Sequence, residues 1–249
     1  MIISPLGTIS PYCKDNKNCP GFLFNDKENK ILLDCGSGIC SLLRFPKDLQ
    51  NLIVVISHLH KDHYSDLSSI GYASFVYKNL GLIKDKIKVY IPNDKGTKDY
   101  EYLTNFGKEN HLEFISYDSN SIIKHGNVEL SFIQNPHPVL TYSIKLNNNK
   151  HSIVYSSDTG YKDNSLLSFS KNADLLICES TFLKNQTKKS DNHLYAYEAA
   201  LIAKEANVKQ LMLTHFWPEI SKEEYVKEAK QIFSNAFAAE ENKKIILRW

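Results

Sequence analysis

The sequence predicts an α/β protein in which two sheets pack face to face and helices cover their outer faces. Short apolar runs typical of strands fill the first half of the chain up to a helical pattern at residues 64–80. They fill the second half up to helical patterns at 195–206 and 222–238. Because each sheet must bury its apolar face, this order favours two sheet-and-helix units packed together. The chain has 249 residues, 42% of them hydrophobic, so we expect one domain over residues 1–249.

The predicted strands are runs of branched and aromatic residues bounded by turn-forming residues. They lie at residues 21–24, 31–34, 52–56 and 87–91 in the first half, and at 128–133, 142–146, 152–156, 175–178 and 210–214 in the second. Polar stretches rich in asparagine or lysine at 147–150 and 184–189 are expected to be loops.

Charge and composition argue against several classes of protein. Thirty basic residues balance 28 acidic ones, which gives no electrostatic reason to expect a dedicated nucleic-acid binder. No apolar stretch approaches the ~18 residues of a membrane span, and residues 1–5 do not resemble a signal peptide. Five cysteines, an odd number without a C-x-x-C pair, favour free thiols in a reducing cytoplasm. A metal site at Cys13 and Cys19 is an alternative.

Residues 57–63 read SHLHKDH and directly follow the apolar run at 52–56. Such a run predicts a strand buried on both faces, so residues at its carboxyl end project from a rigid edge. His58 and His60 would face the same side in extended backbone, whereas Asp62 and His63 would come from the turn into the next helix. Imidazole and carboxylate bind zinc and other first-row divalent ions, so the cluster predicts a metal site.

The pattern of His58, His60, Asp62 and His63 resembles the signature of the metallo-β-lactamase superfamily of hydrolases. The resemblance implies a four-layer αβ/βα sandwich with one or two metal ions at one edge of the two sheets. The segment LLDCGSG at 32–38 resembles the early strand-and-turn motif of that family, which implies that Asp34 supports the site from behind. Its two glycines would permit a tight turn, and a phosphate cradle is the alternative interpretation.

Further ligands are expected downstream, because one loop supplies too few for an open metal site. His137, Asp158 and His215 each follow a strand-like run, and they match the remaining family ligands in order. The resemblance implies one ion held by His58, His60 and His137, a second held by Asp62, His63 and His215, and Asp158 as the bridge between them. It also places Asp62 beside the nucleophilic water. The other histidines in polar stretches are predicted to lie on the surface: His111, His125 and His151.

The cofactors implied are two divalent metal ions, with Zn²⁺ first and Mn²⁺ or Fe²⁺ as alternatives. Two bridged ions lower the pKa of a shared water and stabilise both the attacking and the leaving oxygen of a displacement. The expected reaction is therefore hydrolysis with a metal-bridging hydroxide as nucleophile. The superfamily hydrolyses thioesters, lactones, β-lactams and phosphodiesters, so the fold does not choose among them.

Residues 173–182 and 193–216 resemble the ribonuclease Z branch, which trims tRNA 3′ ends. That resemblance implies that Glu179 and His193 assist phosphodiester cleavage. His193 would hydrogen-bond a phosphoryl oxygen or protonate the leaving alkoxide, and Glu179 would orient its ring. The alternatives are an ordinary residue beside a helix for His193 and a charge at a strand end for Glu179.

The chain also departs from the ribonuclease Z pattern. Cys178 stands where that branch usually has a histidine. Only residues 138–157 separate His137 from Asp158, and one hairpin built from the strands at 142–146 and 152–156 would fill them. Ribonuclease Z carries a long tRNA-clamping arm in this interval. We therefore predict a dinuclear phosphodiesterase without the arm, acting on a cyclic nucleotide, another cyclic phosphodiester or a short oligonucleotide end rather than on large RNA.

Three alternatives to this function remain open: tRNA 3′ processing without the arm, a lactonase-like acyl hydrolase, and a metal-holding scaffold without activity. Phe216 and Trp217 could stack on a base or pack in the core. The aromatic and lysine-rich segment 90–106 could form part of a substrate rim. Family habit implies a homodimer, and no membrane partner is expected.

Overall fold

The computed structural model describes residues 1–109, 111–185, 191–241 and 243–247. The loop predicted at 184–189 lies largely outside these ranges. Within them, no helix combines the length and the apolar character needed to cross a membrane.

The first sheet is built mainly from the N-terminal half of the chain. Its strands are β1 (Ile2–Gly7), β2 (Gly21–Asp26), β3 (Asn29–Leu33), β4 (Leu52–Val55), β5 (Ile87–Pro92), β6 (Leu112–Tyr117) and β14 (Ile245–Ile246). They lie in the order β14-β1-β2-β3-β4-β5-β6. Strands β3 to β6 are parallel, and the remaining pairs are antiparallel.

The second sheet follows the same plan. Its strands are β7 (Ile123–His125), β8 (Val128–Gln134), β9 (Tyr142–Asn147), β10 (Ser152–Tyr155), β11 (Leu175–Glu179), β12 (Gln210–Thr214) and β13 (Ala236–Ala238), in the order β13-β12-β11-β10-β9-β8-β7. Strands β10 to β13 are parallel, and β7 to β10 are antiparallel neighbours. The helices are α1 (Lys61–Tyr64), α2 (Leu67–Asn79), α3 (Lys98–Glu109), α4 (Ser165–Phe169), α5 (Ala196–Glu205) and α6 (Lys222–Lys230).

Buried clusters on both faces of each sheet show the layering. Ile31 of β3 and Ile153 of β10 belong to the cluster between the sheets. Their neighbours Leu32 and Val154 point to the opposite faces, where Leu32 packs under α2 and α3 and Val154 packs under α4, α5 and α6. The resulting order is helix, sheet, sheet, helix, so the predicted four-layer αβ/βα sandwich is confirmed.

The topology brings the carboxyl ends of β4, β8, β10 and β12 to one edge of the molecule. β8 and β10 point the same way because both are antiparallel to β9, and β12 is joined to β10 through parallel β11. The backbone N–H of Tyr142 donates to the carbonyl of Ser57 at 3.1 Å, which ties the end of β4 to the second sheet. Residues that follow these strands can therefore meet across the two sheets.

The predicted strands are all present, with ends shifted by one or two residues. The helix predicted at 222–238 is wrong beyond Lys230, because Ala236–Ala238 forms β13 and pairs with β12 in register Met212↔Phe237. The apolar residues at 236–238 fit the helical spacing of the preceding residues, which is why the sequence predicted a helix there. In the structure they form the edge strand of the second sheet. The helix predicted at 64–80 begins at Leu67, after a separate short helix at Lys61–Tyr64.

Candidate metal centre

The seven predicted ligands all lie at the edge where these strands end. His58 and His60 follow β4, Asp62 and His63 belong to α1, His137 and Asp158 each lie three residues beyond β8 and β10, and His215 directly follows β12. Four of the seven are buried, and the other three, His60, Asp62 and His137, are partly exposed.

Three residues around the candidate metal centre, each one following a strand, have strained backbone. Asp34 after β3, Ser157 after β10 and His215 after β12 have φ values of 56°, 51° and 60°. A positive φ is uncommon for residues other than glycine and costs about 1–3 kcal/mol unless the surroundings enforce it. All three residues contribute to this centre, so the fold holds unfavourable backbone where the side chains converge.

The first group of ligand atoms comes from three histidines and one carboxylate. Nε2 of His58 lies 3.0 Å from Nδ1 of His60, which lies 3.4 Å from Nε2 of His137. Oδ2 of Asp158 lies 3.6 Å from Nε2 of His58 and 3.9 Å from Nε2 of His137. One atom from each residue thus lies within 4.8 Å of the others.

The second group shares Asp158 through its other oxygen. Oδ1 of Asp158 lies 3.4 Å from Nε2 of His63 and 3.1 Å from Nε2 of His215. Oδ2 of Asp62 lies 3.6 Å and 3.9 Å from the same two nitrogens. The two oxygens of one carboxylate therefore face two separate groups, as a bridging ligand requires.

Cations fit this donor set. Within the described part of the chain, the buried polar atoms without a hydrogen-bond partner include Nε2 of His63, Nε2 of His215 and Oδ1 of Asp158. Unpaired buried polar atoms are unfavourable, and three of them at one point indicate a missing partner. Burial raises the pKa of Asp158, but His215 and His63 outweigh it and hold that pKa well below its usual range. The carboxylate is thus ionised and available to a cation.

Asp34 supports the centre from behind, as the resemblance implies. It is fully buried. Its Oδ2 accepts hydrogen bonds from Nδ1 of His63 at 2.7 Å, from the hydroxyl of Tyr155 at 2.7 Å and from Oγ of Ser57 at 2.8 Å. Its Oδ1 accepts from the backbone N–H of Ser57 at 2.7 Å. A proton held on Nδ1 of His63 leaves the lone pair of Nε2 directed at the second group.

Replacing Asp34 by asparagine is expected to lower metal affinity or turnover by about 10–100-fold, the usual effect of losing a partner behind a ligand. Both carboxylate oxygens of Asp34 accept hydrogen bonds, whereas an asparagine amide accepts only through its oxygen. Asp48→Asn is the control, because Asp48 is also buried but pairs with Arg44. Zinc titration of both variants checks this. Equal affinities would show that Asp34 does not orient His63.

His215 and His137 are also held from behind, by residues that the sequence analysis did not single out. Nδ1 of His215 donates to Oγ1 of Thr181 at 2.8 Å, and that hydroxyl donates to Oε2 of Glu179 at 2.7 Å. Nδ1 of His137 donates to the carbonyl of Asn192 at 3.0 Å. These contacts leave Nε2 of each ring free for a cation.

Two further polar side chains position the aspartates. Oγ of Ser10 donates to Oδ2 of Asp62 at 2.8 Å. Nδ2 of Asn135 donates to the backbone carbonyls of Ser156 and Asp158 at 2.7 and 2.9 Å. Serine and asparagine are common in loops, so only the three-dimensional structure reveals these roles.

Glu179 and His193 form a hydrogen-bonded pair beside the two groups. Oε1 of Glu179 accepts from Nδ1 of His193 at 2.9 Å and from the backbone N–H of Thr159 at 2.8 Å. Its Oε2 accepts from Thr181 and from the backbone N–H of Leu194. Glu179 is 1% exposed, so its carboxylate is fixed by the surrounding donors and in turn fixes the imidazole.

The pair also controls the charge of His193. Burial lowers the pKa of His193, but the charge and hydrogen bond of Glu179, together with the charge of Asp158, raise it to about 9. The ring lies 4.0 Å from Asp158 through Nδ1 and stacks on His215 with centroids 5.3 Å apart. Glu179 and Asp158 therefore favour the protonated form of this imidazole, and its Nε2 takes no part in the hydrogen bond to Glu179.

Comparison with known proteins agrees with this geometry. Residues 29–216 match the family model of the beta-lactamase superfamily domain. The chain belongs to the metallo-β-lactamase superfamily of hydrolases. The probable metallo-hydrolase YhfI of Bacillus subtilis is 32% identical over 236 residues, which cover 94% of each chain. The crystal structure of YhfI covers 98% of both chains with a TM-score of 0.90 at 30% identity.

Similarity to ribonuclease Z is local in sequence and global in fold. A ribonuclease Z of Lachnoclostridium phytofermentans is 42% identical over 81 residues, which are 31% of this chain and 27% of that protein. The structure of the short form of human tRNase Z aligns over the full length of both chains with a TM-score of 0.77 at 20% identity. The predicted ribonuclease Z-like placement within the metallo-β-lactamase superfamily is thus confirmed.

Two glycines of this metallo-β-lactamase fold allow close backbone approach around the centre. A Cβ on Gly36 would lie 2.0 Å from the carbonyl oxygen of Asp62, and one on Gly160 would lie 1.9 Å from the carbonyl oxygen of Asp191. Gly38 has φ +92°, which supports the predicted turn. At position 36, glycine is needed because a side chain would collide with the carbonyl of Asp62, and not because of its backbone conformation.

Replacing Gly160 by alanine is expected to lower turnover by up to about 10²-fold, because a displacement of ~1 Å near a reacting group can have that effect. The added methyl would push on Asp191, next to Asn192 and His193. Gly96→Ala is the control for backbone strain without a steric contact, since Gly96 has φ +92° and a Cβ there meets nothing within 4 Å. Steady-state turnover of both variants checks the prediction. Wild-type rates for Gly160→Ala would contradict it.

The structure corrects some expectations for residues outside the centre. Phe216 is fully buried and packs on Tyr225 with ring centroids 5.0 Å apart, so it packs in the core rather than stacking on a base. His151 is buried, with Nδ1 3.9 Å from Asp174, and its predicted surface position is wrong. The reason is the β9–β10 turn, in which the carbonyl of His151 accepts from Asn148.

The segment 90–106 holds the end of β5 and most of α3, a helix that the sequence did not predict. It lies next to α1, because the hydroxyl of Tyr64 donates to Asp99. Its role as a substrate rim remains a prediction. The groups of three or more possible metal ligands found among the described residues contain no cysteine, which leaves the metal alternative for Cys13 and Cys19 without support.

Proposed function

We propose that the protein is a dinuclear metal-dependent phosphodiesterase that hydrolyses a small phosphodiester, such as a cyclic nucleotide, another cyclic phosphodiester or a short oligonucleotide end. The main support is the pairing of Glu179 with His193 beside two groups of candidate ligands, each of which faces one oxygen of Asp158. An acyl hydrolase gives this buried pair no task, whereas phosphodiester cleavage needs a donor for the phosphoryl or leaving oxygen.

We assign the two ions to the two groups. His58, His60 and His137 would hold one ion, Asp62, His63 and His215 would hold the other, and Asp158 would contribute one oxygen to each. Two such ions, when bound, lower the pKa of a shared water and offset the charge of a phosphoryl group. Histidine and carboxylate donors suit Zn²⁺, with Mn²⁺ and Fe²⁺ as alternatives.

The chain itself contributes orientation and proton transfer. Ser10 fixes Oδ2 of Asp62, and Asp62 would also accept a hydrogen bond from the attacking water. His193 would donate from Nε2 to a phosphoryl oxygen or to the leaving alkoxide. Glu179 holds the opposite nitrogen of that ring, so the proton stays on the side where it is needed.

The short β9–β10 hairpin supports the proposal of a small substrate. Residues 138–157 contain only these two strands and short connections, and the turn spans 148–151 between the paired residues Asn147 and Ser152. No segment in this interval protrudes to clamp a large RNA. The near-neutral net charge of +2 also gives little general attraction to polyanions.

A substrate panel tests the proposal. The zinc-loaded and manganese-loaded protein should be assayed with cyclic nucleotides, dinucleotides, bis(p-nitrophenyl) phosphate, precursor tRNA and a lactone. We expect the highest kcat/KM among the small phosphodiesters. Accurate and more efficient cleavage of precursor tRNA would overturn the small-substrate assignment, and efficient lactone hydrolysis alone would overturn the phosphodiesterase assignment.

The second candidate function is tRNA 3′ processing, which the local identity of 42% to a ribonuclease Z favours. A second subunit would then have to supply the grip on tRNA. We also infer, by family habit, a homodimer in the cytoplasm. Light scattering on a sizing column measures the mass, and a monomer that cleaves precursor tRNA efficiently would exclude grip by a second subunit.

A further inference from the structure

Cys13 and Cys19 face each other close to the metal centre. Their sulfur atoms are 3.7 Å apart. A disulfide needs about 2.05 Å, so a small approach would join them. Cys13 is exposed and Cys19 is 1% exposed. One thiol is thus open to reagents in solution, and the other lies behind it as a partner.

A tight turn between the two cysteines sets this arrangement. Asp15 and Asn16 have φ values of 52° and 59°, and the backbone N–H of Lys17 donates to the carbonyl of Lys14 at 2.9 Å. Two successive residues with positive φ are typical of the type I′ hairpin turn. The turn reverses the chain and places residue 13 beside the segment that leads to residue 19, with Lys14 and Lys17 paired across the turn.

Residues 10–19, which contain both cysteines, also approach Asp62, a candidate metal ligand. Ser10, three residues before Cys13, donates to Oδ2 of Asp62 at 2.8 Å. On the other side, a Cβ added to Gly36 would lie 2.7 Å from Cβ of Cys19 and 2.0 Å from the carbonyl oxygen of Asp62. Cys19 and the carbonyl of Asp62 therefore both lie against Gly36, so the buried Cys19 has little room and closing a disulfide requires Cys13 to move.

Movement of Cys13 would be transmitted to both sides of the segment. Tyr12 donates to Glu219 at 2.9 Å and Lys14 donates to the same carboxylate at 3.1 Å. These two contacts fix the residues on either side of Cys13, and the backbone N–H of Ser10 donates to the carbonyl of Phe216 at 3.1 Å. Drawing Cys13 inward pulls on the chain between these fixed points, and Ser10 is the nearest of them that contacts Asp62.

We propose that Cys13 and Cys19 form a redox-active pair that a peroxide closes to a disulfide, and that closure shifts Ser10 relative to Asp62 and reversibly lowers zinc affinity and turnover. The effect on turnover rests on the proposed function, whereas the disulfide and the change in zinc affinity do not. Transient disulfides of this kind are the ones found in reducing compartments.

The chemistry balances with hydrogen peroxide as oxidant. The sulfur of Cys13 attacks one peroxide oxygen, the O–O bond breaks, and one water leaves with formation of a sulfenic acid. The sulfur of Cys19 then attacks the sulfur of Cys13, the S–O bond breaks, and a second water leaves. The two thiols lose two electrons and two protons in total, and a dithiol reductant reverses the change.

Peptide mapping of the full-length, zinc-loaded protein tests the pair. Trypsin cleaves after Lys14 and Lys17, so a disulfide links two separate peptides that contain Cys13 and Cys19. After peroxide treatment we expect this linked pair, and dithiothreitol should remove it. Turnover of bis(p-nitrophenyl) phosphate should fall by about tenfold, within the ~10²-fold range for a misplaced group, and zinc titration should show weaker binding. Dithiothreitol should restore both.

Matched variants separate this pair from general oxidation. Cys13→Ser is expected to keep the turnover and zinc affinity of the reduced protein and to resist peroxide. Cys40→Ser, which removes another partly exposed thiol, should remain sensitive. Failure to find the linked peptides, or linked peptides with unchanged zinc affinity, would overturn the proposal. A reduced protein that cleaves no phosphodiester would refute only the proposed function, because peptide map and zinc titration still decide the inference.

Discussion

Replacing Asp158 by alanine is expected to abolish binding of at least one metal ion and to lower turnover by more than the roughly 10–100-fold typical of a lost partner behind a ligand. The reason is the position of its two oxygens. Oδ1 lies 3.1 Å from Nε2 of His215, and Oδ2 lies 3.6 Å from Nε2 of His58. Removing the carboxylate therefore takes a donor from both groups and leaves neighbouring imidazoles without a shared counter-charge. Elemental analysis together with turnover measures the effect.

Asp174→Ala is the matched control for this prediction. Asp174 is also a buried aspartate of the second sheet, but it precedes β11 at the opposite edge and pairs with Lys209 at 2.7 Å. This variant should lose stability and keep its bound metal. If the Asp158 variant instead bound as much metal as the Asp174 variant, the bridging assignment would be wrong.

Replacing His193 by alanine is expected to lower phosphodiester turnover by about 10²–10⁴-fold, the range for a general acid or base, with bound metal unchanged. His193 lies within 4.8 Å of ligand atoms of Asp158 and His215 and could itself join a metal group. Its Nδ1 is bonded to Glu179, however, and in our assignment it donates to substrate. Its loss should therefore separate catalysis from metal binding. Turnover and elemental analysis on the same preparation measure the two properties.

The Glu179→Gln variant, alone and combined with His193→Ala in a double variant, extends this experiment. Glu179 orients His193 directly and also accepts from Thr181, which holds His215. If the double variant is slower than His193→Ala, we therefore expect weaker metal binding to accompany the additional loss. His125→Ala, at a partly exposed histidine bonded to the carbonyl of Asn51, should be silent. Unaltered phosphodiester turnover in His193→Ala would remove the main reason for preferring a phosphodiesterase over an acyl hydrolase.

Much of this centre could be predicted from the sequence because its ligands follow recognisable strands. The run before His58 is continuous and apolar, and shorter or alternating strand-like runs precede His137, Asp158 and His215. Parallel strands place their carboxyl ends at one edge. Order along the chain, residue type and the resemblance to the metallo-β-lactamase signature together predicted which side chains would converge, although the distances between them came only from the structure.

The supporting residues could not be predicted in the same way. Thr181, Ser10 and Asn135 are common polar residues in loops, and their roles arise from contacts over long sequence separations, such as the 52 residues between Ser10 and Asp62. The edge strand Ala236–Ala238 was missed because three small or aromatic apolar residues fit a helical pattern as well as a strand. Pairing with β12, a tertiary interaction, decided the outcome.

Diffraction from zinc- or manganese-loaded crystals, with anomalous scattering recorded at the metal edge, tests the dinuclear site most directly. We expect two peaks about 3.5–4 Å apart, each about 2.0–2.2 Å from its assigned nitrogen and oxygen atoms, with Asp158 touching both. A single peak, or peaks that leave His63 and His215 uncoordinated, would contradict the dinuclear site and the mechanism built on it.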